Sequence, residues 1–213
     1  MSCPCYVIHR PKDTERDFLV KNLQREIPTL EIFAGLEGSL FLDMPHLHPE
    51  TMKPVAPPVL GCGMSHLTIL RNSLKAGYDQ VCIFEDDAVI KKDIGHLLNK
   101  PLQDCDVYYL GLSDMIRGIP HFTNSSEFPI WKSSWDHFQI LQSSGAFGYI
   151  VSRKAMEAIL SSFYKAMKEG FFYPFDMLVS RAIKEHSLTA LVPREHLVDY
   201  QRGLWSYLSN RIR

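Results

Sequence analysis

Short apolar runs alternate with amphipathic stretches along most of the chain. Cys5 to Ile8 is a brief apolar, β-branched run, and the residues after it open with Asp13-Thr14-Glu15-Arg16 and carry Phe18, Leu19 and Leu23. This pattern predicts a strand followed by a helix. Pro28 ends that helix, and Leu30 to Ala34, closed by Gly35, predicts a second strand. The chain therefore opens as a βαβ unit, which favours a parallel sheet. Between Glu37 and Pro58, Pro45, Pro49, Pro54, Pro57 and Pro58 predict a long surface loop. Next, Gly61-Cys62-Gly63-Met64-Ser65-His66 predicts a glycine-rich turn. A helix is expected to open there with Ser65 as its N-cap, to carry Leu67, Ile69, Leu70 and Leu74, and to stop at Gly77. Gln80 to Phe84 predicts a buried strand, which ends abruptly in Glu85-Asp86-Asp87.

The second half continues the alternation. A helix is expected around Ile94 to Leu98, and a strand over Asp106 to Leu112. Ser113 to Ser144 shows no periodicity and predicts a long irregular segment that holds Trp131, Trp135, His121 and His137. Gly145 to Ser152 predicts a strand, Lys154 to Lys168 and Phe175 to Lys184 predict helices, and Leu188 to Val192 a last short strand. The fold class implied is α/β.

Composition narrows the functional classes. Hydrophobic residues make up 46% and charged ones 22% of 213 residues, which suits one globular domain with a full core and excludes disordered and collagen-like chains. The 23 basic and 24 acidic side chains nearly cancel, so no global positive field is available to hold nucleic acid. Apolar runs such as Val81 to Phe84 fall far short of the roughly 18 residues needed to span a bilayer. The first ten residues lack a basic leader with a long apolar stretch, and the five cysteines show neither paired CxxC spacing nor the density of a disulfide framework. Both features predict a cytoplasmic protein with reduced thiols.

The acidic triplet is the strongest chemical signal. Ligands of open α/β sheets bind beyond the carboxyl ends of the strands, where Glu85, Asp86 and Asp87 fall. Residues two apart on a strand point the same way and lie about 7 Å apart, so Glu85 and Asp87 are expected to share one hard cation, Mn²⁺ or Mg²⁺, with Asp86 facing elsewhere. A solvated turn of acids is the plain alternative. A buried strand that delivers three like charges to one point favours the cation, because the repulsion needs an offset.

These elements in order resemble glycosyltransferase family 25, the lipopolysaccharide and procollagen sugar transferases. The resemblance rests on Gly61-Cys62-Gly63-Met64-Ser65-His66, on Phe84-Glu85-Asp86-Asp87-Ala88 and on the opening Tyr6 to Arg10 with Arg16. Gly145 to Arg153 and Pro174-Phe175-Asp176 extend it over most of the chain. It implies a GT-A fold, Rossmann-like, with a mixed, mostly parallel sheet in a single domain over residues 1–213. The nucleotide-sugar half would span about 1–112, and the acceptor half about 113–213. It further implies a UDP-sugar donor, a glycan or glycoprotein acceptor and a divalent metal.

Under that resemblance Asp87 is the first metal ligand and Glu85 the second, while Asp86 accepts from ribose or sugar hydroxyls. Arg10 and Arg16 follow the first strand, where cationic groups meet a nucleotide, although a surface position explains Arg16 as well. Ser65 is either an anion site or a plain cap, and His66 is either a donor contact or a core histidine. Asp176 is either a general base toward the acceptor hydroxyl or a helix cap. Trp131 and Trp135 either stack on acceptor sugars or pin a loop to the core. His196 is a further candidate ligand. A catalytically silent nucleotide-sugar or glycan-binding module, and a Mg²⁺-dependent phosphohydrolase, are the rival functions.

Overall fold

The computed structural model describes residues 3–112, 130–133, 137–142, 145–201, 205–206 and 211–212, with side chains over 3–112, 137–142 and 145–201. β1 (Cys5–His9), α1 (Asp17–Glu26) and β2 (Leu30–Ala34) form the expected βαβ unit. α2 (Pro57–Lys75) crosses to β3 (Gln80–Glu85), which lies on the other side of β1, and both neighbours of β1 run parallel to it. There follow β4 (Ala88–Ile90), α3 (Gly95–Leu98), β5 (Val107–Tyr109), β6 (Ile130–Ser133), β7 (His137–Ile140) and β8 (Gly148–Ser152). α4 (Arg153–Lys168), α5 (Phe175–Glu185), β9 (Ala190–Pro193) and β10 (Val198–Tyr200) complete the body.

The main sheet has eight strands in the order β2-β1-β3-β8-β5-β9-β7-β6. From the pairings, β1, β2, β3, β5, β6 and β9 point one way, and β7 and β8 point the other. This is the mixed, mostly parallel, Rossmann-like α/β arrangement anticipated above.

Both faces of the sheet are covered, which explains why β3 reads as an unbroken apolar run. Successive side chains on a strand alternate between faces. Val81 and Ile83 pack into a core with α2, α4 and α5, whereas Cys82 and Phe84 pack into a second core with β1, α1 and α3. Among the described residues, no helix is long and apolar enough to cross a membrane.

Two expectations need correction. α2 begins at Pro57, with Pro57 and Pro58 at its first positions, rather than at Ser65. Proline at a helix start surrenders an N–H that has no intrahelical partner anyway, so these prolines open the helix instead of prolonging the loop. Ser65 consequently lies in the middle of α2 and is not an N-cap. Within the supposedly irregular Ser113 to Ser144, β6 and β7 form an antiparallel hairpin that extends the sheet beyond β9. Four-residue strands at a sheet edge leave too short a pattern to separate from loop.

Candidate active site

The carboxyl ends of β1, β2 and β3 open onto a cavity of about 260 Å³, with α2 as one wall. Arg10 and Arg16 reach it from the segment after β1, and Ser65 and His66 from α2. Glu85, Asp86 and Asp87 line it from the end of β3. The fold thus gathers these seven sequence candidates at one place.

The acids are not arranged as a straight strand would place them. Glu85 is the last residue of β3, and Asp86 and Asp87 form the turn into β4. Asp86 is the most heavily engaged: one oxygen takes the Arg16 guanidinium and the other lies 2.9 Å from His9 Nδ1. His9 Nε2 in turn is 3.0 Å from Asp17 Oδ1. Arg16 is buried and also stands 4.0 Å from Asp87 Oδ2. Burial alone would lower the Arg16 pKa, but the charges of Asp86 and Asp87 and the hydrogen bond to Asp86 outweigh it and raise the pKa above the usual guanidinium value. The surface alternative for Arg16 is therefore removed.

His9 was not singled out from the sequence. Its signal lay in the register: Ile8 of β1 sits opposite Glu85 of β3, so the residues one step further, His9 and Asp86, meet where the parallel strands end together.

Around this centre the cavity holds further ion pairs. Arg10 Nε donates to Asp13 at 2.7 Å, and Lys12 Nζ pairs with Glu37 at 2.7 Å. The hydrogen bond from Lys12 holds the Glu37 carboxyl below its ordinary pKa. Three cationic side chains (Arg10, Lys12, Arg16) and five carboxylates (Asp13, Glu37, Glu85, Asp86, Asp87) line the cavity, so the acids exceed the cations by two.

The wall on the α2 side is built by close backbone contact. A Cβ on Gly61 would collide with the Leu36 carbonyl oxygen and stand 2.8 Å from Gly38 N, and one on Gly38 would collide with the Pro57 carbonyl. Ser65 secures the same contact: its hydroxyl donates to the Gly61 carbonyl at 2.7 Å and accepts from Leu36 N at 2.9 Å. The glycines of the Gly61-Cys62-Gly63 stretch therefore serve packing inside a helix, not a turn. Gly63 instead makes room for the ring of Phe172, 2.9 Å from where a Cβ would stand.

His66 is 0% exposed. Its ring stacks on Phe175 with centroids 4.2 Å apart, and its Nδ1 is 2.8 Å from the Tyr149 hydroxyl. Burial first of all keeps the Tyr149 pKa well above its usual value, so that hydroxyl stays neutral. The other ring nitrogen, Nε2, is buried without a hydrogen-bond partner among the described residues and lies 3.8 Å from Glu85 Oε1. Cys62, one turn before His66 and on the same helix face, brings its Sγ to this spot.

Asp176 lies in the first turn of α5, but the N-cap is Pro174. Its Oδ2 accepts from Gly145 N at 3.2 Å and its Oδ1 from Met177 N at 2.8 Å. It does not line the cavity, although the preceding residue, Phe175, stacks on His66. Nor does His196 line it. Trp131 belongs to β6 but its side chain lies outside the described residues, as does the whole of Trp135.

The family description Glycosyltransferase family 25 (LPS biosynthesis protein) matches residues 5–179, which include every element of this cavity. The chain belongs to glycosyltransferase family 25. Sugar transfer is the activity of that family. No curated protein sequence matches the chain. Among solved structures, the family 25 chain is similar to the apo-form glycosyltransferase GlyE of Streptococcus pneumoniae TIGR4, with 10% identity and a TM-score of 0.45 over 89% of this chain and 45% of that one. It thus spans less than half the length of the GlyE chain. It is also similar to a glycosyltransferase involved in glycosylating the major capsid of PBCV-1, with 13% identity, a TM-score of 0.43, and coverage of 89% and 81%. For the galactosyltransferase LgtC, crystallised with donor and acceptor sugar analogues, the values are 9%, 0.44, and 88% and 72%.

Proposed function

We propose that the chain is a metal-dependent glycosyltransferase that moves a sugar from a UDP-sugar to a glycan or glycoprotein acceptor. The observation that carries the reading is the surplus of two carboxylates in a cavity at the carboxyl ends of parallel strands. A diphosphate brings more negative charge into that cavity, so donor binding requires a compensating cation. The donor set suits Mn²⁺ or Mg²⁺, because Glu85 and Asp87 offer hard oxygen ligands to the cavity. A divalent ion held there would stabilise the charge that develops on the leaving nucleoside diphosphate.

The chain's own groups complete the donor side. Arg16 is fixed by Asp86 and Asp87, and Arg10 by Asp13, so both enter the reaction already oriented toward the nucleotide. Because both Asp86 oxygens are engaged by His9 and Arg16, its part in donor binding is to position Arg16, with any hydroxyl contact made through a remaining lone pair. Ser65 holds the cavity wall, and His66 faces the donor from it.

The acceptor half, about residues 113–213, supplies Asp176 as general base and Trp131 and Trp135 as stacking faces for the acceptor sugar. Family membership supports UDP as the nucleotide, and the odd count of five cysteines supports a cytoplasmic setting. Calorimetric titration of UDP, GDP and CMP with and without Mn²⁺, followed by a screen of UDP-sugars for hydrolysis and transfer, tests the reading. UDP binding that needs Mn²⁺, with sugar release, is the expected result. Nucleotide binding without turnover of any UDP-sugar would favour the silent binding module.

A further inference from the structure

We propose that Cys62, His66 and Glu85 form a binding site for a borderline transition-metal ion, Zn²⁺, distinct in chemistry from the hard-cation seat on Glu85 and Asp87. The three ligand atoms, Cys62 Sγ, His66 Nε2 and a Glu85 carboxylate oxygen, all lie within 4.8 Å of one another. Tetrahedral zinc with bonds of 2.0 to 2.3 Å sets its ligands about 3.4 to 3.6 Å apart, so the cluster needs only small side-chain shifts to close on an ion. The His66 Nε2 to Glu85 Oε1 distance, 3.8 Å, is nearly there already.

The second observation is the state of His66. A fully buried imidazole nitrogen that lacks a hydrogen-bond partner is costly, and this one points at a thiol and a carboxylate. The rest of the ring is arranged as metal-bound histidines are. Nδ1 lies 2.8 Å from the Tyr149 hydroxyl, which can accept its hydrogen and so leave the Nε2 lone pair for an ion. Stacking on Phe175 fixes the ring plane.

Sequence and fold supply the geometry cheaply. Cys62 and His66 are four residues apart on α2 and share a face, while Glu85 is delivered by the end of β3. The donor set decides the metal. A thiolate with an imidazole selects Zn²⁺ over Mg²⁺ or Mn²⁺, which prefer oxygen. Three protein ligands would leave a fourth position for water or another ligand, and all three residues line the cavity. The site shares Glu85 with the donor reading but does not depend on it, since it needs no nucleotide.

The test uses the full chain and the metal alone. Zn²⁺ affinity is measured by competition with a chromophoric chelator, and the site is inspected by the visible and near-ultraviolet spectrum after loading with Co²⁺. Tight one-to-one Zn²⁺ binding is expected, with a tetrahedral Co²⁺ spectrum that includes a thiolate-to-cobalt charge-transfer band. Cys62→Ser should abolish the band, Glu85→Gln should weaken Zn²⁺ binding, and Cys105→Ser should change neither. Tyr149→Phe, which removes the orienting partner, should weaken binding about 10- to 100-fold. A charge-transfer band that survives Cys62→Ser, or Zn²⁺ binding unaffected by His66→Ala in a variant with an unchanged melting temperature, would overturn the proposal. Mn²⁺-dependent UDP binding is scored separately, so failure of one reading leaves the other standing.

Discussion

His9 and Asp86, 77 positions apart in the chain, meet at 2.9 Å where β1 and β3 end side by side. The contact is part of a chain of groups that runs from Asp17 through His9 and Asp86 to Arg16. Both ring nitrogens of His9 thus face carboxylate oxygens. Replacing His9 leaves two carboxylates short of a donor. His9→Ala should cost about 1.5 to 3 kcal/mol of stability, the range for hydrogen bonds to charged groups, as read by urea unfolding. Nucleotide affinity should fall with it, because Asp86 then no longer holds Arg16 in one place.

Gly61→Ala should be more disruptive than an exposed Gly→Ala change, which usually favours a helix. The new methyl group meets the Leu36 carbonyl and Gly38 N. Overpacking of this kind costs about 1 to 3 kcal/mol, against a helix-propensity gain of about 1 kcal/mol. A lowered melting temperature with weaker UDP binding is expected. Gly77→Ala tests a different cause, since open space surrounds Gly77 but its φ is +81°. That variant should lose stability with UDP affinity unchanged.

Asp87→Asn should abolish Mn²⁺-dependent UDP binding. The substitution keeps the volume of a side chain that is 2% exposed and removes its charge. Calorimetry in Mn²⁺ checks it, and wild-type affinity in this variant would remove Asp87 from the metal.

Asp176→Asn should retain UDP affinity and lose transfer by about 10²- to 10⁴-fold, the usual worth of a general base. The same carboxylate accepts from Gly145 N and Met177 N, so thermal unfolding must be measured alongside. A melting temperature that falls together with both binding and turnover would assign the residue to holding Gly145 instead.

Glu185 offers a pH test away from the cavity. Burial raises its pKa, but hydrogen bonds from Lys165, Ser162 and Arg181 prevail and lower it from 4.5 to about 2. A depressed folded-state pKa contributes stability above the unfolded value, and that contribution is lost as pH falls through the folded value. The stability difference between wild type and Glu185→Gln should therefore be constant above about pH 5 and shrink between pH 4.5 and 2. Chemical unfolding at a series of pH values measures it.

Much of this was legible in the sequence where a single element decides the pattern. The unbroken run of β3 and the amphipathic face of α4 predicted themselves, and the position of three acids beyond a strand end placed the cavity. Features that need two distant segments were hidden. Nothing local shows that Gly61 and Gly38 touch, or that His9 faces Asp86, because both depend on which strands and helices become neighbours. The start of α2 was missed for a different reason: Pro57 and Pro58 break a helix interior but suit its first turn, and the sequence alone favoured the commoner meaning. Cys62 was overlooked as a ligand because cysteine arithmetic looks for cysteine partners, whereas its neighbours here are a histidine and a glutamate.

The reversed direction of β8 has a consequence for which parts of the chain reach this rim. Gly148 pairs with Phe84, and Glu85 N donates to the Phe147 carbonyl, so the chain enters β8 at the same edge where it leaves β3. In a sheet of uniform polarity, only connections that follow strands reach that edge. Here an incoming connection ends there too, anchored at Gly145 by Asp176. One strand thus lets both an outgoing and an incoming stretch of chain shape the same rim.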